Sequence, residues 1–243
     1  MTRLIDLFKV TLLTFCISSY AHSQVEVTVN NRVLNFAENP RLTEVLESID
    51  LKPNWYWPNT QLFKLDSDLA ENKRIELIQK LENLSQDLDS STQKKLIEQI
   101  KSWKLAQRIN ITIDYDFARF VLRYNPLFDD GRYSLIFRQR NPSLYLFGAV
   151  PQPKVLTYEN NQCIENIVAN IRKLDSAESS FIYAIQPDGV IRKLPIAYWN
   201  HDCQQVMPGS QIYVPLAESQ WFSDNTQLNQ LIAELAVNRT VIE

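Results

Sequence analysis

The hydrophobic period of this chain changes from two residues to about 3.6 and back, and this change limits the possible fold more than any other feature. Two alternating segments, "VEVTV" and "RVLNF", flank Asn30 and Asn31, which predicts a β-hairpin. Residues 67–107 instead carry apolar side chains at helical spacing, interrupted by a polar run, which predicts a helical hairpin. Its outer faces are charged and typical of a solvated surface.

The start of the second helix in this hairpin has a sequence signal of its own. Ser90 and Gln93 have the spacing of a capping box, in which each side chain bonds the backbone of the other. We therefore expect Ser90 to cap the second helix.

The chain beyond residue 107 returns to short strands. A strand is expected at 131–137, and from residue 143 the pattern predicts two strands, a helix at about 162–174 and three more strands. This order predicts a small sheet with one covered face, and hence an α+β fold. The last apolar segment has one helical face, formed by Leu228, Leu231, Ile232 and Leu235, so we expect it to pack on the sheet.

The first 23 residues have the pattern of a cleaved signal peptide. Arg3 and Lys9 precede a short apolar run, and Ala21 and Ser23 occupy the small-residue positions of a cleavage site. The apolar run is about half the length of a membrane-spanning helix, which makes a retained anchor the weaker interpretation. We expect an exported mature chain that begins near Gln24 and has no membrane span.

Cys163 and Cys203 are the cysteines that remain after such cleavage. An even pair in an oxidising compartment predicts a disulfide, with two separate buried thiols as the alternative. No metal site is expected, because the chain has only His22 and His201 to add to them. The formal net charge of −3 provides no basic footprint for nucleic acid. No glycine-rich phosphate loop is present, and no cofactor is expected.

Carboxylates are the strongest enzymatic candidates. Asp114 with Asp116, or Asp129 with Asp130, would be the pair needed for cleavage of a glycosidic bond. Neighbouring aspartates more often cap helices or shape turns, and both segments fit that interpretation. A catalytic triad would depend on His201, which lies in a predicted loop, so no catalytic residues are assigned.

Aromatic and turn residues supply the other candidates. Trp55 and Trp57 have flat faces suited to stacking on sugar rings, although prolines beside them also fit loop or core packing. Pro187, Asp188 and Gly189 form a turn, since proline presets its first corner and glycine accepts a positive φ. We assign this turn a structural role.

Three segments in order, "NPSLYLFGAVPQP", "YAIQPDGVIRKLPIAYWN" and "MPGSQIYVPL", followed by a C-terminal helix that ends in "NR", resemble the capsule-biosynthesis family named after GfcC. The resemblance covers most of the mature chain and is strongest from residue 141. It implies two β-grasp domains, at 24–141 with the helical insertion at about 67–107, and at 142–216, with a C-terminal amphipathic helix at 217–243 packed on the second. The second domain would be similar to the ligand-binding modules of outer-membrane polysaccharide exporters.

The resemblance also implies residue roles. Arg108 resembles an arginine that lines a pocket in the family, and a guanidinium suits a carboxylate of a polymer or partner. An ordinary ion pair with Asp114 or Asp116 is the alternative. Trp199 and Asn200 resemble the family's Trp-Asn pair, with the indole expected beneath the terminal helix and Asn200 holding the following loop.

The function implied is that of a non-enzymatic periplasmic factor in the assembly or export of a capsular or O-antigen-type surface polysaccharide. Its expected partners are an outer-membrane polysaccharide export protein, the polymer, or both. Arg108, Asp114, Trp55 and Trp57 are the candidate binding residues. The alternative is a periplasmic enzyme that modifies or cleaves carbohydrate with carboxylates near Asp114.

Overall fold

Each half of the chain forms one five-stranded mixed sheet in the computed structural model. The structure describes residues 24–240 except 53, 84–88, 160, 200–201 and 219–223, and the side chain of residue 224 is also not described. The predicted signal peptide lies outside the described residues. The strands are β1 (Val25–Val29), β2 (Arg32–Phe36), β3 (Gln61–Lys64), β4 (Gln107–Ile109), β5 (Gly131–Ile136), β6 (Ser143–Gly148), β7 (Lys154–Thr157), β8 (Phe181–Ile185), β9 (Ile191–Pro195) and β10 (Gln211–Val214).

The two sheets have the same topology. Their strand orders are β2-β1-β5-β3-β4 and β7-β6-β10-β8-β9, so each strand of one sheet has a counterpart in the other. In each sheet the strand that comes first in the sequence pairs in parallel with the strand that comes last, β1 with β5 and β6 with β10. All other neighbouring strands are antiparallel. The predicted hairpin is confirmed, because β1 pairs with β2 around Asn30, whose φ is 50°.

Six helices lie among the described residues, which together with the sheets makes the fold α+β. They are α1 (Leu42–Glu47), α2 (Leu69–Asn83), α3 (Ser90–Ser102), α4 (Tyr115–Phe120), α5 (Ile164–Ala169) and α6 (Asp224–Ala236). Helix α5 ends earlier than predicted, because the chain turns after Asn170 and the Leu174 N–H donates to the carbonyl of Ala149. No helix in the described part of the chain combines the length and the apolarity that a membrane span requires.

The capping box predicted at Ser90 and Gln93 is wrong. Asp89 caps α3 instead, and its carboxylate accepts from the backbone N–H of Thr92 at 3.0 Å. The Gln93 amide donates to the Leu81 carbonyl at 2.6 Å and so ties α3 to the end of α2. Aspartate and serine are about equally good caps, and the backbone path places Asp89, not Ser90, at the N-cap position.

Two hydrophobic cores result, one for each sheet. The first, here called the N-terminal unit, consists of β1–β5 covered by α1 and α4, with buried side chains such as Val27, Leu46 and Leu135. The second, the C-terminal unit, consists of β6–β10 covered by α5 and α6. Helix α6 packs on its sheet as predicted, with Asn229 accepting from the Tyr213 hydroxyl at 2.8 Å.

The helical pair α2 and α3 lies between β3 and β4 in the sequence but packs into the core of the C-terminal unit. Leu81 and Leu96 are buried in the same cluster as Phe147 of β6 and Ile232 of α6. Gln99 exchanges two hydrogen bonds with the backbone of Gly148, at 2.9 and 3.0 Å. The first half of the chain therefore completes the core of the second.

Candidate functional site

Arg108, on the edge strand β4, lies at the junction of the two units. Its guanidinium donates to the Pro187 carbonyl at 2.6 Å and lies 5.5 Å from the centre of the Phe63 ring. Its backbone N–H donates to the side chain of Asn238 at 2.9 Å. Burial lowers the pKa of Arg108 to about 10, although the charge of Asp188 opposes this shift. The side chain thus remains protonated at neutral pH and joins both units.

The Pro187–Gly189 turn is the part of the C-terminal unit that reaches this junction. The Asp188 carboxylate accepts from the Val190 N–H at 3.0 Å, which closes the turn. Gly189 has a φ of +90°, and a Cβ there would lie 3.1 Å from the side-chain oxygen of Asn110 in the N-terminal unit. A glycine is therefore favoured both by the backbone conformation and by the close approach of the other unit.

Arg239, just after α6, is a junction residue that sequence reasoning did not assign. Its guanidinium donates to Gln211 at 2.8 Å and lies 4.8 Å from the centre of the Trp103 ring. Burial lowers the pKa of Arg239 to about 10. The "NR" that ends the last helix was the available signal, but nothing in the sequence shows that α3 and β10 meet at this point.

A cavity of about 10 Å³ lies between Arg108 and Arg239. Gln61 and both arginines contribute buried side-chain atoms that have no hydrogen-bond partner among the described residues. This volume admits nothing larger than a water molecule. Arg108 is partly buried, and it makes no ion pair with Asp114 or Asp116 among the described residues.

A larger opening, here called the junction cleft, lies beside this small cavity. It has a volume of about 470 Å³, and both units line it with Trp57, Thr60, Asn110, Thr112, Asp114 and Asp188 among others. Asp114 also caps α4, since its carboxylate accepts from the Phe117 N–H at 3.0 Å. The cleft combines one aromatic face with hydroxyl, amide and carboxylate groups, which together can donate to and accept from sugar hydroxyls.

Of the two candidate tryptophans, the structure places one in this cleft. Trp57 lines the cleft and packs edge-on against Phe137, with ring centres 5.6 Å apart. Trp55 stacks on Phe137 with ring centres 4.3 Å apart and does not line the cleft. Both rings are partly buried against the N-terminal core.

A second opening, the basic groove, lies at the end of α3. Its volume is about 220 Å³, and the described residues that line it include no carboxylate: Gln99, Ser102, Trp103, Lys104, Tyr145, Leu146, Phe147, Pro153 and Arg239. Lys104 is exposed, whereas Trp103 is buried. The groove therefore offers positive charge beside aromatic surface, which suits a negatively charged group.

The predicted disulfide between Cys163 and Cys203 is present, with Cα atoms 4.9 Å apart. The Glu165 carboxylate lies near the two sulfur atoms, the arrangement of a possible metal site. The sulfur atoms bond each other, however, so they are not thiolate ligands in this state.

The burial predicted for Trp199 is wrong. Its side chain is 77% exposed and lies beside α5, not beneath α6. The reason is that the Ile196 N–H donates to the Ser180 carbonyl at 2.9 Å, which holds the chain after β9 beside the start of β8. Asn200 and His201 lie outside the described residues.

Comparison with known proteins agrees with the resemblance seen in the motifs. Residues 21–140 match the family model "Capsule biosynthesis GfcC, N-terminal", and residues 152–241 match "Capsule biosynthesis GfcC C-terminal". The chain is also 29% identical over 190 residues to the uncharacterized protein YjbG of Escherichia coli K12, covering 76% of this chain and 77% of that protein. The two family models lie in sequence order and together span most of the chain, which therefore belongs to the GfcC family of capsule biosynthesis proteins.

Proposed function

We propose that this protein is a non-enzymatic periplasmic factor in the assembly or export of a capsular or O-antigen-type surface polysaccharide. Membership of a capsule biosynthesis family supports a role in capsule assembly. The observation that carries the proposal further is the junction cleft, because its volume of about 470 Å³ and its mixed aromatic and polar lining suit a sugar.

Within this proposal the two units are β-grasp domains, the first spanning 24–141 and the second 142–216. The strand order shared by the two sheets supports this assignment, as does the short helix between the second and third strand of each. The helical pair is then an insertion between the third and fourth strands of the first domain. Helix α6 (Asp224–Ala236) lies in the C-terminal region that the proposal places at 217–243.

The periplasm is the compartment that best fits the chemistry of the chain. A disulfide persists in an oxidising compartment, and Cys163 and Cys203 form one. The signal-peptide pattern of the first 23 residues is the second support. An outer-membrane export protein and the polymer itself are the partners that this location would bring together.

The polymer is the partner that the junction cleft fits best. Trp57 offers a ring face, and Asp188, Asn110 and Thr112 surround it with hydrogen-bonding groups. Arg108 acts from behind the cleft by holding the Pro187–Gly189 turn in position. A loss of Arg108 would therefore alter the cleft without removing a group that contacts the sugar.

The alternative is an enzyme that modifies or cleaves the polymer. One observation favours it, since Asp114 and Asp188 line the same cleft. Against it, Asp114 and Asp188 already accept hydrogen bonds from backbone N–H groups, as a helix cap and a turn. Release of oligosaccharide from purified polymer by the wild-type protein, abolished by Asp114→Asn, would establish the enzyme and exclude the non-enzymatic factor.

The proposal is tested by the surface polysaccharide of a strain that lacks the protein. We expect polymer of normal composition to be trapped in the periplasm or lost from the surface. Complementation with Trp57→Ala should fail where wild type succeeds, at equal protein levels, with Trp55→Ala as the matched aromatic control. An unaltered surface in the deletion strain would contradict the proposal.

A further inference from the structure

The end of the β8–β9 hairpin opposite the junction carries a second pocket. This aromatic pocket has a volume of about 450 Å³ and lies between α5 and the chain that follows β9. Val168 contributes apolar surface, Glu165 and Lys173 contribute charge, and Tyr198 and Trp199 form its rim. It belongs entirely to the C-terminal unit and shares no lining residue with the junction cleft.

The two rim side chains are highly exposed. Tyr198 is 91% exposed and Trp199 77%, whereas Trp55, Trp57 and Trp103 are partly or fully buried. An exposed indole leaves a large apolar surface in water, which is unfavourable unless a ligand covers it. Both side chains line the pocket, and an aromatic ring is suited to stacking on a flat, partly apolar ligand.

The segment that carries these rings is anchored on both sides. Before it, the Ile196 N–H donates to Ser180, and after it the disulfide joins Cys203 to the first residue before α5. The Ile164 N–H also donates to the Gln204 carbonyl at 2.9 Å. Anchoring of this kind lowers the entropy lost when a ligand binds to the segment.

The polar groups of the pocket have unused hydrogen-bonding capacity. One carboxylate oxygen of Glu165 is buried and has no hydrogen-bond partner among the described residues. The Lys173 ammonium donates to the Glu178 carbonyl at 3.3 Å and has three donor hydrogens in all. That buried oxygen is out of reach of a ligand, but a carboxylate has several acceptor sites, so a hydroxyl that donates to the Glu165 carboxylate at the pocket wall would be stabilised.

We propose that the aromatic pocket binds one sugar ring of a glycan, with the ring stacked on Trp199, a hydroxyl donating to Glu165 and Lys173 donating to a sugar oxygen. An apolar side chain of a partner protein would cover the aromatic rim equally well. It would, however, offer no hydrogen bonds to the Glu165 carboxylate and the Lys173 ammonium. A sugar ring covers the aromatic rim and also forms hydrogen bonds with Glu165 and Lys173, and this difference favours the glycan.

The sugar would belong to the surface polysaccharide, and in that respect the inference rests on the proposed function. The pocket is nevertheless a second site. It lies at the other end of the five-residue strands β8 and β9 from the Pro187–Gly189 turn, a distance of about 16 Å at about 3.3 Å per residue. A polymer longer than a few sugars is thus able to contact both ends of the same hairpin.

The test uses the mature chain and a panel of defined oligosaccharides containing glucose, galactose, N-acetylhexosamines and glucuronate. We expect Trp199→Ala to weaken binding of the best oligosaccharide at least about tenfold, and Glu165→Gln to weaken it less. Phe120→Ala, which removes a ring that is 79% exposed on α4 and outside the pocket, should leave binding unchanged. Equal melting temperatures would show that all three variants remain folded.

A Trp57→Ala variant measured in parallel separates this inference from the proposed function. Binding that is lost with Trp57→Ala but unaffected by Trp199→Ala overturns the second site and leaves the junction cleft in place. Binding that depends on Trp199, in a protein whose deletion leaves the cell surface unaltered, retains the pocket and removes the export role. A folded protein that binds no member of the panel overturns the inference.

Discussion

The N-terminal and C-terminal units have sheets of the same topology, yet their cores are completed in different ways. Helices α1 and α4 cover the first sheet, and both come from the same half of the chain. The second sheet is covered by α5 and α6 and also by the helical pair α2 and α3. In the sequence this pair lies between β3 and β4 of the first unit. Identical strand order therefore does not make the two units equally independent, because the second depends on helices supplied by the first.

The covering helices also leave the surfaces of the two units different. On α4 and the turn after it, Phe117, Phe120 and Leu122 are exposed, although Asn125 anchors this segment through hydrogen bonds with Thr43 and Arg41. In the C-terminal unit the exposed rings at the end of β9 instead border a pocket. Of the two helices that cover the first sheet, α1 buries Leu42, Val45 and Leu46, whereas α4 buries only Ala118.

The largest predicted effect comes from removal of the helical pair. Replacement of residues 69–102 by a short Gly-Ser linker deletes Leu77, Leu81, Leu96 and Ile100, all buried in the C-terminal core. Burial of each stabilises by about 2 kcal/mol, together about 8 kcal/mol, which is comparable to the whole stability of a domain. We expect the C-terminal unit to lose fixed tertiary structure, seen as lost amide protection in β6, β8 and β10.

The N-terminal unit should retain its protected amides in β1 and β5 in the same protein. Amide protection of β10 equal to that in wild type would mean that the C-terminal unit does not need the helical pair. The proposed difference in independence between the two units would then be wrong.

The disulfide is the second difference between the units. It closes a loop with a sequence separation of 40 residues within the C-terminal unit. The chain-entropy model gives about 4 kcal/mol for such a loop. We expect Cys163→Ser with Cys203→Ser to lower the free energy of unfolding by about this amount, measured by urea denaturation.

Addition of a reductant to the wild-type protein should reproduce the effect of the double variant and should not change the double variant itself. A reductant-insensitive wild type would show that the disulfide contributes nothing to stability.

A single side chain tests the dependence of the second core on the first half of the chain. Leu96→Ala on α3 removes a fully buried side chain and should cost about 3 kcal/mol. Ile75→Ala on α2 removes a side chain that is half exposed and should cost about 0.5 kcal/mol or less. Hydrogen exchange in β6 measures whether the destabilisation caused by Leu96→Ala extends to the second sheet. Equal effects of the two variants would contradict the packing of α3 into the second core.

The smallest effect concerns Glu178, a buried carboxylate of the C-terminal unit. Burial alone would raise the pKa of Glu178, but hydrogen bonds from Ser180, Ser179 and Glu218 outweigh it, and the pKa lies below its ordinary value. A folded-state pKa below the unfolded value stabilises the protein at neutral pH, and this stabilisation is lost as the pH falls through the folded pKa. Wild type should therefore lose stability below about pH 4 more steeply than Glu178→Gln.

The expected measurement is the free energy of unfolding of both proteins between neutral and acid pH. Parallel curves for wild type and Glu178→Gln would show that Glu178 is not the group responsible.

Local features were predicted well from the sequence. The hairpin at Asn30, the helices on either side of the polar run, and the Cys163–Cys203 disulfide depend on periodicity, turn chemistry and compartment, which act over short distances or on composition. The cap of α3 was misplaced by one residue because Asp89 and Ser90 are both good caps, and only the backbone path selects between them.

The candidate site was predicted in part. Trp57 and Asp114 line one cleft, but nothing in the sequence showed that Asp188 would join them from the other unit. Trp199 was expected beneath the terminal helix because it resembles the family's Trp-Asn pair, but that resemblance does not identify the surface on which this indole lies.

The sequence by itself predicted most of the strands and helices, the pairing of the cysteines and, through its motifs, the family to which the chain belongs, but it did not predict β3. The tertiary structure alone decided that α2 and α3 complete the second core, that Arg108 and Arg239 meet at the junction, and that Trp199 borders a pocket. The physical reason is that hydrophobic periodicity specifies which face of an element is buried but not the surface that buries it. That choice depends on the shapes and free energies of all the faces that compete for the same contact.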